Sequence, residues 1–147
     1  MDQALKEGIL NAVDSEPFAR ALKMEVITLA LGHSVVEMDY RPELMSNIYQ
    51  RAHGGALFAL IDEAFETAAQ THGTIAVALN VNVTYAKSPE AGERLKAEAR
   101  EMTRTRKTAN YDIRVTNAAG ELIATCQALA YRTGKPVPFL SLSESKI

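Results

Sequence analysis

The clearest hydrophobic pattern in the chain runs from Asn47 to Gly73. Apolar residues recur at helical spacing after a Gly-Gly turn, which predicts a long helix with one strongly apolar stripe: Leu57, Leu60, Ile61, Ala64 and Ala68. The other face combines small residues with Asp62 and Glu66, a composition typical of a half-buried helix that carries a carboxylate on its second face. We expect Gly73 to close the helix as its C-cap.

Two short helices are predicted before this segment. Residues 3–13 place apolar side chains at helical spacing, and Asp14 or Ser15 can cap a second helix with Pro17 in its first turn. The apolar side of that second helix is predicted to consist of Phe18, Ala21 and Leu22.

The remaining regular segments alternate between apolar and polar residues, which is the pattern of strands. A hairpin is predicted over residues 24–40, and four further strands follow the long helix, at 77–85, 93–102, 111–117 and 122–131. Pro136 and Pro138 end the pattern, and we expect a disordered tail from about residue 137.

The order of elements predicts an α+β fold in which one antiparallel sheet wraps around a long central helix. A hairpin precedes the helix and a four-stranded antiparallel meander follows it, and the helix needs a sheet to cover its apolar stripe. No linker or repeat divides the 147 residues, so residues 1–147 are interpreted as one domain.

Composition removes several classes of function from consideration. A net charge of −2 gives no indication of binding to nucleic acid or an anionic membrane. The chain shows no signal peptide and no apolar run of membrane length, and we expect a soluble, cytoplasmic protein. The single Cys126 excludes an internal disulfide, gives no metal-ligand spacing and is interpreted as a core thiol.

The turn formed by His53, Gly54 and Gly55 is the first candidate for chemistry. It leaves backbone N–H groups at a helix N-terminus without internal partners, and glycine lets a ligand approach them closely. Such a terminus can stabilise an anion, or a carbonyl that is becoming one.

Asp62 is the second candidate, and its distance from the turn has a consequence for assembly. It lies eight residues after Gly54, which is roughly 12 Å along a helix, too far for both groups to act on one atom. If both are catalytic, Asp62 must face the turn of an antiparallel helix, most simply from a second subunit. Phe58 and Phe65 flank Asp62, which favours partial burial and a raised pKa.

Taken together, these residues resemble a known family. Asn47, the His-Gly-Gly turn, Asp62 and the strand over residues 82–85 occur in the order and spacing of hotdog-fold acyl-CoA thioesterases of the PaaI-like group. The resemblance covers roughly residues 18–135 and implies a hotdog fold and a hydrolase of acyl-CoA thioesters. It also implies a homodimer as the catalytic unit, with a homotetramer of two dimers, and no metal or redox cofactor.

The resemblance also implies roles for individual residues. The Gly54 and Gly55 amides would bind the thioester carbonyl, and Asp62 of the partner subunit would act as general base or as nucleophile. Asn47 would contact the thioester group and His53 would shape the site. Some relatives carry a water-orienting Ser or Thr at the position of Ala78, so that Thr67, Asn80 or a second water would have to replace it.

Further candidates contact the substrate rather than perform the chemistry. The candidate substrate-binding residues are Phe58, Thr67, Asn80, Arg106 and Lys107. The basic hairpin that contains Arg106 and Lys107 is either a solvated turn or a docking site for the phosphates of coenzyme A. Glu63 and Glu66 are interpreted as acids on the helix surface or at an interface.

Two alternatives to a thioesterase remain on the same fold. A non-catalytic acyl-CoA-binding or sensing module would not need Asp62, and no DNA-binding segment accompanies this domain. A dehydratase or hydratase would need a His and a carboxylate placed differently from His53 and Asp62. The sequence leaves the identity of the acyl group open.

Overall fold

The computed structural model describes residues 1–142 and begins with two helices that are joined at one residue. α1 spans Gln3–Ser15 and α2 spans Pro17–Leu22, and Glu16 is both the C-cap of the first and the N-cap of the second. The prediction that Phe18 and Ala21 belong to the apolar side was wrong. Both are exposed, because Ala19 is the residue of α2 that packs into the core.

The predicted hairpin is confirmed and is followed by a helical turn that the sequence pattern did not indicate. β1 spans Glu25–Ala30 and β2 spans His33–Asp39, and the two pair antiparallel. α3 is a single turn over Pro42–Met45 that buries Met45. It is too short to produce a periodic pattern of apolar residues.

The long helix α4 spans Gly54–Gln70 and fills the concave side of the sheet. Ten of its residues are buried, including Leu60, Ile61 and Ala64 of the predicted stripe. The expected glycine cap is wrong in detail, because the helix ends at Gln70 with Thr71 as its C-cap. Gly73 lies in the following turn with a φ of 74° and donates its N–H to the Gln70 carbonyl at 2.9 Å.

Four strands follow α4, and each is longer than its sequence pattern indicated. β3 spans Thr74–Tyr85, β4 Arg94–Arg104, β5 Thr108–Asn117 and β6 Leu122–Pro136. The segment predicted as a tail begins with a buried Val137 and a short 3-10 helix over Pro138–Leu142. The rest of that tail lies outside the described residues.

The six strands form one antiparallel sheet in the order β1-β2-β4-β5-β6-β3. The predicted meander is therefore wrong in one connection, because β3 pairs with β6 instead of β4. The chain crosses from β3 to β4, which takes its place beside β2. This topology leaves β3 at one edge of the sheet.

The sheet curves around α4, and the main core lies between them. Helix residues such as Leu60 and Ile61 pack there against sheet residues such as Val36, Leu95 and Ile113, all fully buried. A smaller cluster joins α1 to β1 and the 3-10 segment: Leu5, Ile9, Leu29 and Val137. No helix among residues 1–142 is long and apolar enough to cross a membrane.

Candidate active site

The start of α4 leaves one backbone amide free. His53 is the N-cap, and its ring Nδ1 accepts a hydrogen bond from the Gly55 N–H at 2.9 Å. The next amide, that of Ala56, donates to the His53 carbonyl at 3.0 Å. Among the described residues the Gly54 N–H has no partner, so it is the free donor at the positive end of a 17-residue helix.

Tyr85, at the end of β3, fixes the position of this turn. Its hydroxyl donates to the Gly54 carbonyl at 3.0 Å. Its ring lies so close to Gly54 that an added Cβ would meet the ring at 3.1 Å, and the ring would have to move by a few tenths of an ångström to accept it. The sequence reasoning missed this residue, although Tyr85 closes a strand that begins one short turn after the helix.

Asn47 organises the loop before α4. Its side-chain oxygen accepts hydrogen bonds from the Tyr49 N–H at 2.9 Å and the Arg51 N–H at 3.2 Å. The same loop carries Gln50 in the left-handed region, with a φ of 60°. The Asn47 amide NH₂ has no partner among the described residues and can still donate to a ligand.

Asp62 lies in the middle of α4, on the wall of a cavity of about 220 Å³. The cavity is otherwise mainly apolar, and its lining includes Phe65, Ala76, Val77 and Ala78. Burial raises the pKa of the Asp62 carboxyl, as predicted. A carboxylate with a raised pKa is a stronger base than one in water.

β3 contains a β-bulge between Ala78 and the candidate residue Asn80. Ala78 lines the Asp62 cavity, whereas Asn80 lines an outer groove together with Asn82 and Asp112. Bulges re-aim side chains in this way, and they are common next to active sites. Asp62 and Asn80 therefore do not share a cavity in the described chain.

The other substrate-binding candidates also lie away from the Asp62 cavity. Thr67 is buried on another side of α4, and its hydroxyl oxygen lies 2.7 Å from both Ser34 Oγ and the Glu63 carbonyl oxygen. Phe58 is partly exposed and does not line the cavity. Lys107 lies over the Tyr131 ring at 5.5 Å, and Arg106 is exposed in the same turn.

Glu63 is buried, which corrects its interpretation as a surface acid. Its side chain is only 3% exposed, and Oε1 has no hydrogen-bond partner. Burial, followed by the charges of Glu16, Glu66 and Asp62, raises the pKa of Glu63 to about 8. Glu66 is exposed, as predicted, and lines the Asp62 cavity.

Cys126 is a buried residue of β6, in agreement with its interpretation as a core thiol. Burial is the main cause that raises the pKa of the thiol to about 11. A nucleophilic cysteine requires the opposite shift, because the thiolate is the reactive form.

The site thus contains a free amide donor and a partly buried carboxylate on one helix, and the described residues that line the carboxylate's cavity include no His or Ser. This combination suits the hydrolysis of an activated ester, in which a carboxylate activates water and an amide stabilises the developing oxyanion. The chain belongs to the thioesterase superfamily, whose sequence profile matches residues 49–124.

Individual relatives agree with this assignment. The chain is 31% identical over 121 residues to the acyl-coenzyme A thioesterase PaaI of Escherichia coli, covering 82% of this chain and 86% of that protein. The structure of the E. coli PaaI protein superposes with a TM-score of 0.85 at 28% identity, over 90% of this chain and 96% of that one. The expected hotdog fold is therefore confirmed.

Two further solved structures extend the comparison. A mutant of the phenylacetic acid degradation protein PaaI from Thermus thermophilus is 38% identical, with a TM-score of 0.75 and coverage of 80% and 99%. A Streptococcus mutans protein bound to acetyl-CoA is 28% identical, with a TM-score of 0.73 and coverage of 78% and 91%.

Proposed function

We propose that this protein hydrolyses acyl-CoA thioesters to a free acid and coenzyme A. The observation that carries the proposal is the pairing, on one helix, of an unpartnered Gly54 N–H with a half-buried Asp62 of raised pKa. The acyl-CoA class of substrate comes from the E. coli thioesterase and from the relative bound to acetyl-CoA.

The active unit in this proposal is a dimer with two shared sites. Gly54 and Asp62 are separated by roughly 12 Å along α4, so a single chain does not bring them together. β3 is an edge strand that exposes Val77 and Leu79, both about half accessible, and it flanks the Asp62 cavity. Pairing of β3 with its copy would cover this edge and set two α4 helices antiparallel across a two-fold axis.

In the first form of the reaction Asp62 is a general base. Its carboxylate takes a proton from water while the water oxygen bonds to the thioester carbonyl carbon. The Gly54 N–H of the other subunit and the positive end of its helix stabilise the oxyanion. Collapse of the intermediate breaks the carbon–sulfur bond, and the leaving thiolate receives the proton held by Asp62.

In the second form Asp62 attacks the carbonyl itself and water then hydrolyses the mixed anhydride. Ala78 lines the Asp62 cavity but has no hydroxyl that could orient a water there, so this residue does not distinguish the two forms of the reaction. Single-turnover hydrolysis in H₂¹⁸O tests for the anhydride. Label in the Asp62 side chain establishes attack of water on the Asp62 carbonyl of an anhydride, because the general-base route places label only in the free acid.

The test of the function is thiol release from a panel of acyl-CoA esters by the wild type and by Asp62→Asn. We expect the variant to lose about 10²- to 10⁴-fold in kcat, since its amide cannot accept the proton. Asp112→Asn removes a carboxylate from the outer side of the sheet and is the matched control. Asp62→Asn should still bind a non-hydrolysable acyl-CoA analogue.

The alternative is a non-catalytic acyl-CoA-binding module. Binding without turnover by the wild type across the panel would establish that alternative. Wild-type turnover in Asp62→Asn would show that the base lies elsewhere. Native mass at the assay concentration reports whether the active species is the dimer, or the tetramer of two dimers.

A further inference from the structure

Three carboxylates converge where the two N-terminal helices meet α4. Glu16 lies between α1 and α2, while Glu63 and Glu66 lie one turn apart on α4. One carboxylate oxygen from each residue lies within 4.8 Å of the corresponding oxygens of the other two. Glu16 is distant in sequence from the two acids of α4, so the fold itself brings these three carboxyl groups together.

No positive side chain balances this charge in the part of the chain that the structure describes. The nine ion pairs of residues 1–142 involve other acids, and none includes Glu16, Glu63 or Glu66. Like charges at this spacing repel one another, and the repulsion is strongest where water is excluded. A cation is the ligand that such a cluster attracts.

Glu63 supplies an independent indication of a ligand. Its side chain is buried, and its Oε1 atom, which water does not reach, has no hydrogen-bond donor. Buried polar atoms are almost always satisfied, and an orphaned one indicates a missing water, ion or functional partner. Here the missing partner must also suit two neighbouring carboxylates.

We propose that Glu16, Glu63 and Glu66 form a site for a divalent cation of the oxygen-preferring class, with Ca²⁺ as the ion of fitting size. The three oxygens lie within 4.8 Å of one another, so a point equidistant from them lies at most about 2.8 Å from each. A small inward movement gives the 2.3–2.6 Å range of Ca²⁺, whereas Mg²⁺ requires about 2.0–2.1 Å. Zn²⁺ favours nitrogen and sulfur ligands, which the cluster does not offer.

The surroundings can complete the coordination. A cavity of about 400 Å³ adjoins the cluster, and Glu16 and Glu66 both line it, together with the polar side chains of Ser15 and Gln70. Ca²⁺ takes six to eight oxygen ligands, and three carboxylates supply between three and six of them. Water in this cavity can supply the rest.

A bound cation would join the N-terminal helices to the central helix. Glu16 caps both α1 and α2, so its coordination fixes the junction between them onto α4. The site therefore has a structural readout that does not depend on thioester turnover. Hydrogen exchange over residues 3–22 should slow when the ion binds.

The test is calorimetric titration of the full chain, first treated with EDTA and then dialysed, with CaCl₂. We expect saturable binding of one ion per chain, and broadening of the Mn²⁺ EPR signal when Mn²⁺ is used as a second probe. Glu63→Gln and Glu16→Gln should each weaken Ca²⁺ binding at least about tenfold, since affinity follows the number of charged ligands. Glu16 is partly exposed, so that variant tests the proposal even if Glu63→Gln does not fold.

The matched control is Asp14→Asn, which removes an exposed carboxylate from α1 two residues from Glu16. It should change the affinity by no more than about twofold. Equal weakening by Asp14→Asn and Glu16→Gln would mean diffuse attraction to an acidic surface and would overturn the site. So would the absence of saturable Ca²⁺ binding by the wild type, or tighter binding of Mg²⁺ than of Ca²⁺.

Discussion

The Tyr85 hydroxyl donates a hydrogen bond of 3.0 Å to the carbonyl oxygen of Gly54. The bond joins the edge strand to the residue that carries the free amide at the helix N-terminus. A backbone donor stabilises an oxyanion only when its direction is fixed before the reaction. In the proposed site, Tyr85 is therefore a positioning residue for Gly54.

Tyr85→Phe should lower kcat with little change in KM. The phenyl ring keeps its packing against Gly54, but the bond that fixes the turn is lost. A hydrogen bond of this kind contributes about 1 kcal/mol, which corresponds to roughly a fivefold loss of rate. Steady-state thioesterase kinetics measure the effect. Tyr49→Phe is the control, because Tyr49 is exposed and its side chain makes no hydrogen bond within residues 1–142. Equal losses in both variants would refute the positioning role.

Gly54→Pro should remove the oxyanion donor without unfolding the protein. Gly54 is the first residue of α4, where proline is well tolerated, and His53 already has the extended backbone that precedes proline, with a ψ of 129°. We expect a loss of about 10²- to 10³-fold in kcat. Gly54→Ala carries the same added Cβ against Tyr85 but keeps the N–H, so it is the matched control. If the two variants lose activity equally, crowding of Tyr85 explains the loss and the amide does not.

Mixed dimers test whether the site is shared. A subunit with Asp62→Asn is combined with a subunit that carries Gly54→Pro, and each homodimer alone should be nearly inactive. In the heterodimer one site holds both lesions, while the other pairs an intact turn with an intact carboxylate. Its activity should reach up to half of that of the wild-type dimer. Inactive heterodimers, shown by native mass to have assembled, would place each site within one subunit.

His53 should prove to be a capping residue, and another N-cap side chain should be able to replace its hydrogen bond. His53→Ala leaves the Gly55 N–H without its acceptor and should lower the free energy of unfolding by about 0.5–2 kcal/mol. His53→Asn restores a strong N-cap and should recover most of that stability. Urea denaturation measures both changes, and thioester hydrolysis should recover with stability. Recovery of stability without activity would instead show that the imidazole acts on the substrate.

The sequence predicted the helix and the separation of its two candidate residues, Gly54 and Asp62, because both depend on local order. A Gly-Gly turn before a helical stripe marks the N-terminus of α4, and the spacing to Asp62 sets their separation along the axis. The place of β3 beside β6 could not be predicted in this way. Strand neighbours depend on contacts between distant segments, which alternation within each strand does not encode.

Two features of the site could not be predicted from the sequence, for a related reason. Glu63 follows Asp62 directly and has the composition of a surface acid, but its burial depends on the N-terminal helices covering that side of α4. The Gly55 amide was expected to bind substrate, yet in the structure it is held by the His53 ring. Both outcomes depend on side-chain contacts across elements, and a sequence pattern describes only the elements themselves.

The double use of α4 limits how this protein can change during evolution. Ten of its seventeen residues are buried in the core, and the same helix carries the two candidate catalytic residues, Gly54 and Asp62. A mutation that adapts the helix to a new acyl group therefore also risks the stability of the whole domain. Selection for new substrates has more freedom in the loop at Ile48, whose side chain is exposed. Diversification of acyl preference is expected to accumulate there, while α4 stays nearly constant.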